Sequence, residues 1–248
     1  MMRKRGPPMD IKNTHTVTIN GLYRDELDQR LYDLIDELKN KFGIEGRLTV
    51  IIREDNPPYK PNLFGGVSPR SIDKFHIVYD NELTITRGIF RKINIKDHPD
   101  ELKTLIAHEF SHICNKDQFI SFILQIVWFG SSIFIFSFVS IYLKNIVLTI
   151  LISLIYFVLV GRFFYSWRRG IENRCDSDSV KMTENPDATM RALKKMDIFS
   201  SEIKNIIQLR DKPLFFLKKA YYFILGNTHP SISERIKNVE SIGKIKRN

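Results

Sequence analysis

Residues Phe119 to Leu143 form a run of 25 positions without one charged side chain. A helix apolar on every face is either buried in the core of a large protein or spans a membrane. Coiled as a helix, this run is long enough to cross a hydrocarbon core of roughly 30 Å. Lys144 and Asn145 interrupt it, and Ile146 to Val160 adds 15 more uncharged residues. Continuing through Arg162 to Trp167 lengthens the second segment to 22, with Arg162 near enough to its end to snorkel. No proline falls between Pro99 and Pro186, so nothing breaks either helix. The expectation is two membrane helices forming a hairpin with a very tight tip. A re-entrant second segment and a hairpin buried in a soluble core are the alternatives.

Charge orients the hairpin. Lys116, Arg162, Arg168 and Arg169 flank its outer ends, while only Lys144 marks its tip. By the positive-inside rule the flanking portions face the cytoplasm and the tip faces out, giving a multi-pass protein of the cell membrane. The chain is basic, with 38 Lys and Arg against 28 Asp and Glu. Cytoplasmic flanks meeting anionic headgroups account for that surplus. Nucleic acid is not an expected partner, because there is no recognised motif and no basic run interleaved with aromatics. Met1 to Asp10 has basic residues and two prolines but no apolar segment, so it does not read as a signal peptide. The hairpin is therefore expected to do the anchoring. Cys114 and Cys175 are too few for a disulfide framework and are expected to stay thiols in a reducing compartment.

His108-Glu109-Phe110-Ser111-His112 lies just before the hairpin. The stretch Asp100 to Lys116 reads as one helix, with Pro99 at its first turn and Asp100 and Glu101 at the positive end of its dipole. Positions i and i+4 share a face, so His108 and His112 can offer two imidazole nitrogens to one Zn2+. Glu109, on the same turn, is then the candidate general base for a water molecule. A hydrolytic zinc site needs a third protein ligand. Glu172 supplies it in Arg168-Arg169-Gly170-Ile171-Glu172-Asn173-Arg174-Cys175-Asp176. Asp176, one turn on, can accept the outer N–H of a zinc-bound His. The bland reading of this stretch is a solvated polar face. Asp178 and Glu184 are the fallback ligands in a different register. Cysteine thiolates from Cys114 or Cys175 are a weaker alternative, since hydrolytic zinc sites use His and carboxylate. One Zn2+ per chain is expected, although the ligand types also suit Co2+ or Mn2+. The two ligand sets lie on opposite sides of the hairpin. An even number of spans returns the chain to its starting side, as their meeting at one metal requires.

The whole pattern resembles the M48 family of membrane zinc metalloproteases, with its HtpX-like and Ste24-like branches. The motifs that carry the resemblance are His108-Glu109-Phe110-Ser111-His112, the apolar block, R-R-x-x-E-x-x-x-D, and Thr228-His229-Pro230 with Arg235 six residues after the His. It runs from about Asn81 to Val239 and includes Leu83 to Ile89, similar to the strand and turn before the metal helix. The resemblance implies His108, His112 and Glu172 as ligands, Glu109 as catalytic base, His229 steadying the oxyanion, and Arg235 bracing the site near Asp176. Two departures are visible: Cys175 stands where the family has Ala, and Pro61 to Gly66 only loosely matches the usual segment before the active-site strand.

The expected fold is α+β: a mainly helical, gluzincin-type catalytic domain with a small β-sheet, interrupted by the transmembrane hairpin. Its parts are residues 1–118, the hairpin 119–165, and a helical part 166–248. Thr14 to Asn20, Leu48 to Ile52, Phe75 to Tyr79 and Leu83 to Thr86 read as strands, and Asn56 to Pro69 as a Pro/Gly-rich loop. Arg24 to Lys41 reads as an amphipathic helix with Leu27, Leu31, Leu34, Ile35 and Leu38 inward. Either Phe75 to Tyr79 or Leu83 to Thr86 could pair with an extended substrate. After Asp176, helices are expected over Pro186 to Met196, Glu202 to Leu209, Leu214 to Leu225 and Ser231 to Ile242. His112 precedes Phe119 by seven residues, roughly 10 Å along a continuous helix, which sets the metal close to the bilayer. The functional expectation is a membrane-anchored zinc metalloendopeptidase acting on peptides or membrane proteins in quality control. The alternatives are a CAAX-type prenyl-peptide protease and a non-catalytic membrane sensor or scaffold.

Overall fold

The computed structural model describes residues 17–20, 26–45, 48–53, 63–73, 76–86, 89, 93, 97–210 and 229–247. Strand β1 (Val17–Asn20) leads through helix α1 (Glu26–Lys41) to β2 (Leu48–Arg53). These strands pair in parallel, Val17 opposite Leu48, which is why a helix lies between them. Then come β3 (Leu63–Asp73) and β4 (His76–Thr86). β4 enters between β2 and β3, giving the order β1-β2-β4-β3. It is parallel to β2 and antiparallel to β3.

Two expectations change here. The expected strands at Phe75 to Tyr79 and Leu83 to Thr86 are not separate, because β4 runs from His76 through Thr86; Phe75 lies outside the described residues. The polar Asn81 and Glu82 of β4 are paired on either side and Asp80 with β3, which overrides their turn-like composition. Nor is Asn56 to Pro69 a loop throughout, since Leu63 onward is β3. Among the described residues β3 is an edge strand, which is where Pro69 is tolerated, and the pairing shifts register between Pro69 and Ser71. Leu83 to Thr86 is paired with β2 on one side, and through Ile85 with β3 on the other, so it has no edge for a substrate, whereas His76 to Asp80 pairs with β3 alone among the described residues.

Alternation puts Leu48 and Val50 of β2, and Leu83 and Ile85 of β4, into one core. Leu31, Ile35 and Leu38 of α1 cover it, together with Leu102, Ile106 and Phe110 of helix α2 (Pro99–Cys114). Each such side chain contributes on the order of 1.5–3 kcal/mol when fully buried. This core fixes α2, and with it His108 and His112, against the sheet.

The apolar segments form α3 (Asp117–Leu143) and the first part of α4 (Ile146–Thr183). Only 11% of the most apolar window of each is buried, and Ile133, Ile141, Val147 and Phe163 are about 70% exposed or more. A hairpin buried in a soluble core would show the reverse, so the exposed apolar surface matches lipid. Hydroxyls along it bond to their own helix: Ser131 and Ser132 donate to the Trp128 carbonyl, and Thr149 to that of Asn145. Trp128 stacks on Phe157 at 4.6 Å and meets Tyr165 edge-on at 6.2 Å, tying the two helices together.

Lys144 turns the tip in a left-handed conformation, and Asn145 caps α4 by accepting from the Leu148 N–H. α4 then continues past the apolar segment for several polar turns. Helix α5 (Pro186–Arg210) is unbroken, where two helices were expected on either side of Asp197 to Ser201. Helix α6 (Ile232–Arg247) closes the chain. The expected helix from Leu214 to Leu225, with Leu27 and Thr14 to Thr16, lies outside the residues whose structure or side chains are described.

Candidate metal centre

The polar stretch of α4 is not a solvated face. Glu172, Cys175, Asp176, Ser179 and Val180 are all buried, and their spacing of i, i+3, i+4, i+7 and i+8 is one helical stripe. The stripe lies against α2, where the Ser179 hydroxyl donates to the Thr104 carbonyl at 2.6 Å. The His108 and His112 rings stand 5.0 Å apart at 82°. Nε2 of His108 is 3.5 Å from one oxygen of Glu172, and Nε2 of His112 is 3.9 Å from the other. Tetrahedral ligands on bonds of about 2.0–2.1 Å sit roughly 3.3 Å from one another, so the three side chains fit a single zinc-sized ion with small adjustments. All three ligand atoms lie within 4.8 Å of one another.

Asp176 Oδ1 stands 2.9 Å from Nδ1 of His108. Nη2 of Arg235 is also near that nitrogen, at 3.4 Å. The carboxylate is the partner: Asp176 can only accept, so at 2.9 Å it requires the proton on Nδ1, which then cannot accept from a guanidinium. Arg235 instead grips both Asp176 oxygens, at 2.7 and 2.6 Å. Its place is set by a capping box at the start of α6. The Glu234 N–H donates to the Ser231 hydroxyl, and the Ser231 N–H to the Glu234 carboxylate. Asn238, one turn on, donates to the Asn173 carbonyl of α4. His229, 59% exposed, brings Nδ1 to 3.0 Å from Glu172.

The polar stretch of α4 and the residues around it lie beyond the membrane-spanning segments, and their charges interlock. Burial opposes a charge on His108, but hydrogen bonds to Asp176 and Glu172 outweigh it and raise its pKa to about 9. Burial likewise opposes the charge on Glu172, yet His108 and His229 hold it well below the usual carboxylate range. Arg235 and His108 do the same for Asp176. Carboxylates thus gather around the imidazoles and set up a field that favours positive charge there. Burial pushes both thiols up, Cys114 to about 11, so neither is an available thiolate near neutral pH.

The fallback ligands point elsewhere. Asp178 accepts from the Ser111 hydroxyl at 2.8 Å, and Glu184 ends α4 in a left-handed conformation. One neighbour is not visible from spacing. Asp117 lies 2.9 Å from Nδ1 of His112 and is held by Arg174. The chain does not continue as one helix from His112 to Phe119. It breaks after Cys114, and the break brings Asp117 back.

Comparison with known proteins places the chain in a family. A "Protease HtpX homolog" of Bacteroides fragilis (strain YCH46) is 28% identical over 244 residues, covering 86% of this chain and 68% of that protein. Another of the same name, from Streptococcus pyogenes serotype M5 (strain Manfredo), is 26% identical over 179 residues, covering 63% and 58%. No solved structure matches the chain. Residues 40–243 match the profile of Peptidase family M48, taking in α2, α3 and α4. This chain belongs to Peptidase family M48.

Proposed function

We propose that this protease is a membrane-anchored zinc metalloendopeptidase whose centre is His108, His112 and Glu172. The observation that carries the reading is the convergence of two imidazoles and a carboxylate, from opposite sides of the hairpin, on one point. Zinc held there supplies Lewis acidity to the attacking water and the scissile carbonyl. Glu109, on the same turn of α2, takes the proton from the water and passes it to the leaving amine. Asp176 keeps His108 in the tautomer that presents Nε2, and Arg235 keeps Asp176 charged and in place. His229, at the exposed rim, steadies charge developing on the carbonyl oxygen.

Substrate follows from position. β3 is an edge strand that packs along α2, so an extended peptide can add to it beside the ligands. The hairpin at 119–165 sets this centre at the cytoplasmic surface of the bilayer, between a catalytic part at 1–118 and another at 166–248. Membrane proteins and their juxtamembrane segments are the substrates within reach, which fits a quality-control role. Metal analysis of detergent-purified protein tests the reading. Wild type should hold one zinc per chain, Glu172→Ala should lose it, and Glu109→Gln should keep it while losing hydrolysis of casein. A wild-type protein that neither retains zinc nor gains activity when zinc is added refutes the proposal.

A further inference from the structure

Asp117 opens α3, the first membrane helix, five residues after His112. On a continuous helix such a residue lies about 140° around the axis from His112 and faces away from it. Here α2 stops at Cys114, and Lys116 adopts a left-handed conformation with φ 52° before α3 begins. That turn swings the Asp117 side chain back against the metal helix. Its Oδ2 comes to 2.9 Å from Nδ1 of His112, the ring nitrogen opposite the one that faces Glu172. Nη2 of Arg174, on α4 between Glu172 and Asp176, donates to both Asp117 oxygens at 2.6 Å. The Cys175 sulfur closes the remaining side, 3.4 Å from the same imidazole nitrogen and 3.7 Å from the carboxylate. Asp117 is 4% exposed, so this charge is committed to the cluster.

We infer that Asp117 is the positioning residue for His112, doing from the membrane helix what Asp176 does for His108 from α4. The inference rests on the zinc centre proposed above. A neutral imidazole that binds through Nε2 carries its proton on Nδ1, and a charged acceptor there fixes both the tautomer and the ring plane. Each histidine ligand thus has its own carboxylate, and each carboxylate its own arginine: Asp176 with Arg235, Asp117 with Arg174. His112, Asp117 and Cys175 also have the residue types and spacing of a second cation site. Arg174 decides against that, because its guanidinium already supplies the positive charge on Asp117 and a divalent ion would meet it at contact distance. The arrangement makes the orientation of one metal ligand depend on where the first membrane helix begins.

Zinc affinity of the full-length protein in detergent, measured by competition with a chromogenic chelator, tests this for wild type, Asp117→Asn and Arg174→Gln. The expected result is one zinc per chain throughout, bound about 10–100-fold more weakly by Asp117→Asn and within a few-fold of wild type by Arg174→Gln. Unchanged affinity in Asp117→Asn overturns the inference. So does an equal loss in both variants, which would make Asp117 only the anchor of Arg174. A wild type with two zinc ions, one of them lost in Asp117→Asn, overturns it in favour of the second cation site. If wild type binds no zinc, the proposed centre itself fails. Should Asp117→Asn not fold, proton NMR of cobalt-loaded wild type decides. Two strongly shifted, slowly exchanging imidazole N–H signals are expected, one for each carboxylate-bonded histidine, and a single signal refutes the role.

Discussion

Replacing Arg235 with Met removes the guanidinium that holds both oxygens of Asp176 at 2.6 and 2.7 Å, while keeping most of the alkyl volume. Asp176 is 1% exposed, so its charge would keep only the bond to His108 at 2.9 Å. Stripping a buried charge of one partner costs about 3–5 kcal/mol, and the surviving histidine bond puts the value near the lower end. Asp176→Asn leaves the converse defect: an Arg235 side chain only 13% exposed, facing an amide. That should cost a similar amount. Combining the two removes both charges, so the double variant should be destabilised by far less than the sum, with a coupling of about 2–3 kcal/mol. At this chain length 1 kcal/mol moves Tm by about 2–4 °C, so each single variant should melt roughly 6–12 °C below wild type. The assay is thermal unfolding in detergent with a chelator present, which separates the fold from stabilisation by bound metal. A double variant whose Tm falls by the sum of the two single losses would show that the pair does not compensate internally, and the reasoning would be wrong.

Glu101 gives a related asymmetry behind the metal helix. It is 1% exposed and binds Lys195 at 2.5 Å and Arg191 at 3.3 Å, both of which reach solvent. Glu101→Ala should cost about 1–3 kcal/mol, because the freed cations rehydrate, whereas removing both cations strands the carboxylate and should cost more by thermal melting. Glu37 bridges α1 to Lys103 of α2 at 2.7 Å, and hydrogen bonds to Lys103 and Lys41 lower its pKa from the usual 4.5. A depressed carboxylate stabilises above its unfolded pKa and loses that contribution as pH falls through the folded value. Glu37→Gln should therefore cost well under about 1 kcal/mol at neutral pH, since the group is 43% exposed, and the gap from wild type should narrow in melts as the pH is taken down below 4.5. Lys144→Cys should react with a membrane-impermeant maleimide from outside intact cells; labelling only after lysis would reverse the proposed orientation.

The parts legible in the sequence are those set by regular periods. His108 and His112, like Glu172 and Asp176, are four residues apart on single helices, so their common faces follow from helix geometry. The hairpin follows from length and the lack of charge. Asp117 was hidden because its contact with His112 depends on a left-handed Lys116, and nothing in the Asn115-Lys116 pair demands a break. β3 was hidden for a different reason. Gly65, Gly66 and Pro69 have turn-like composition, and it is only pairing with β4 at the sheet edge that makes the segment a strand. The bland reading of the α4 stripe failed because burial of Glu172 and Asp176 is a tertiary fact, imposed by α2 and α6, that composition does not encode.

The placement of the hairpin between the ligands has a mechanical consequence. α4 is one helix of 38 residues from the tip to Thr183, so Glu172 rides on the same rod whose first half faces lipid. Glu172 lies about 39 Å along that rod from Ile146, and a hydrocarbon core of roughly 30 Å entered there ends a few residues short of it. Glu172 is therefore held by a helix whose rotation is resisted inside the bilayer, where Trp128 locks against Phe157 and Tyr165, while His112 on α2 is tied to the start of α3 through Asp117. Turning α4 by one residue, about 100°, would carry Glu172 off the stripe that meets the two imidazoles. Integrity of the proposed centre and integrity of the membrane hairpin are in this way linked, and the buried carboxylates of Asp117 and Asp176, each against one of the imidazoles, are the joints between them.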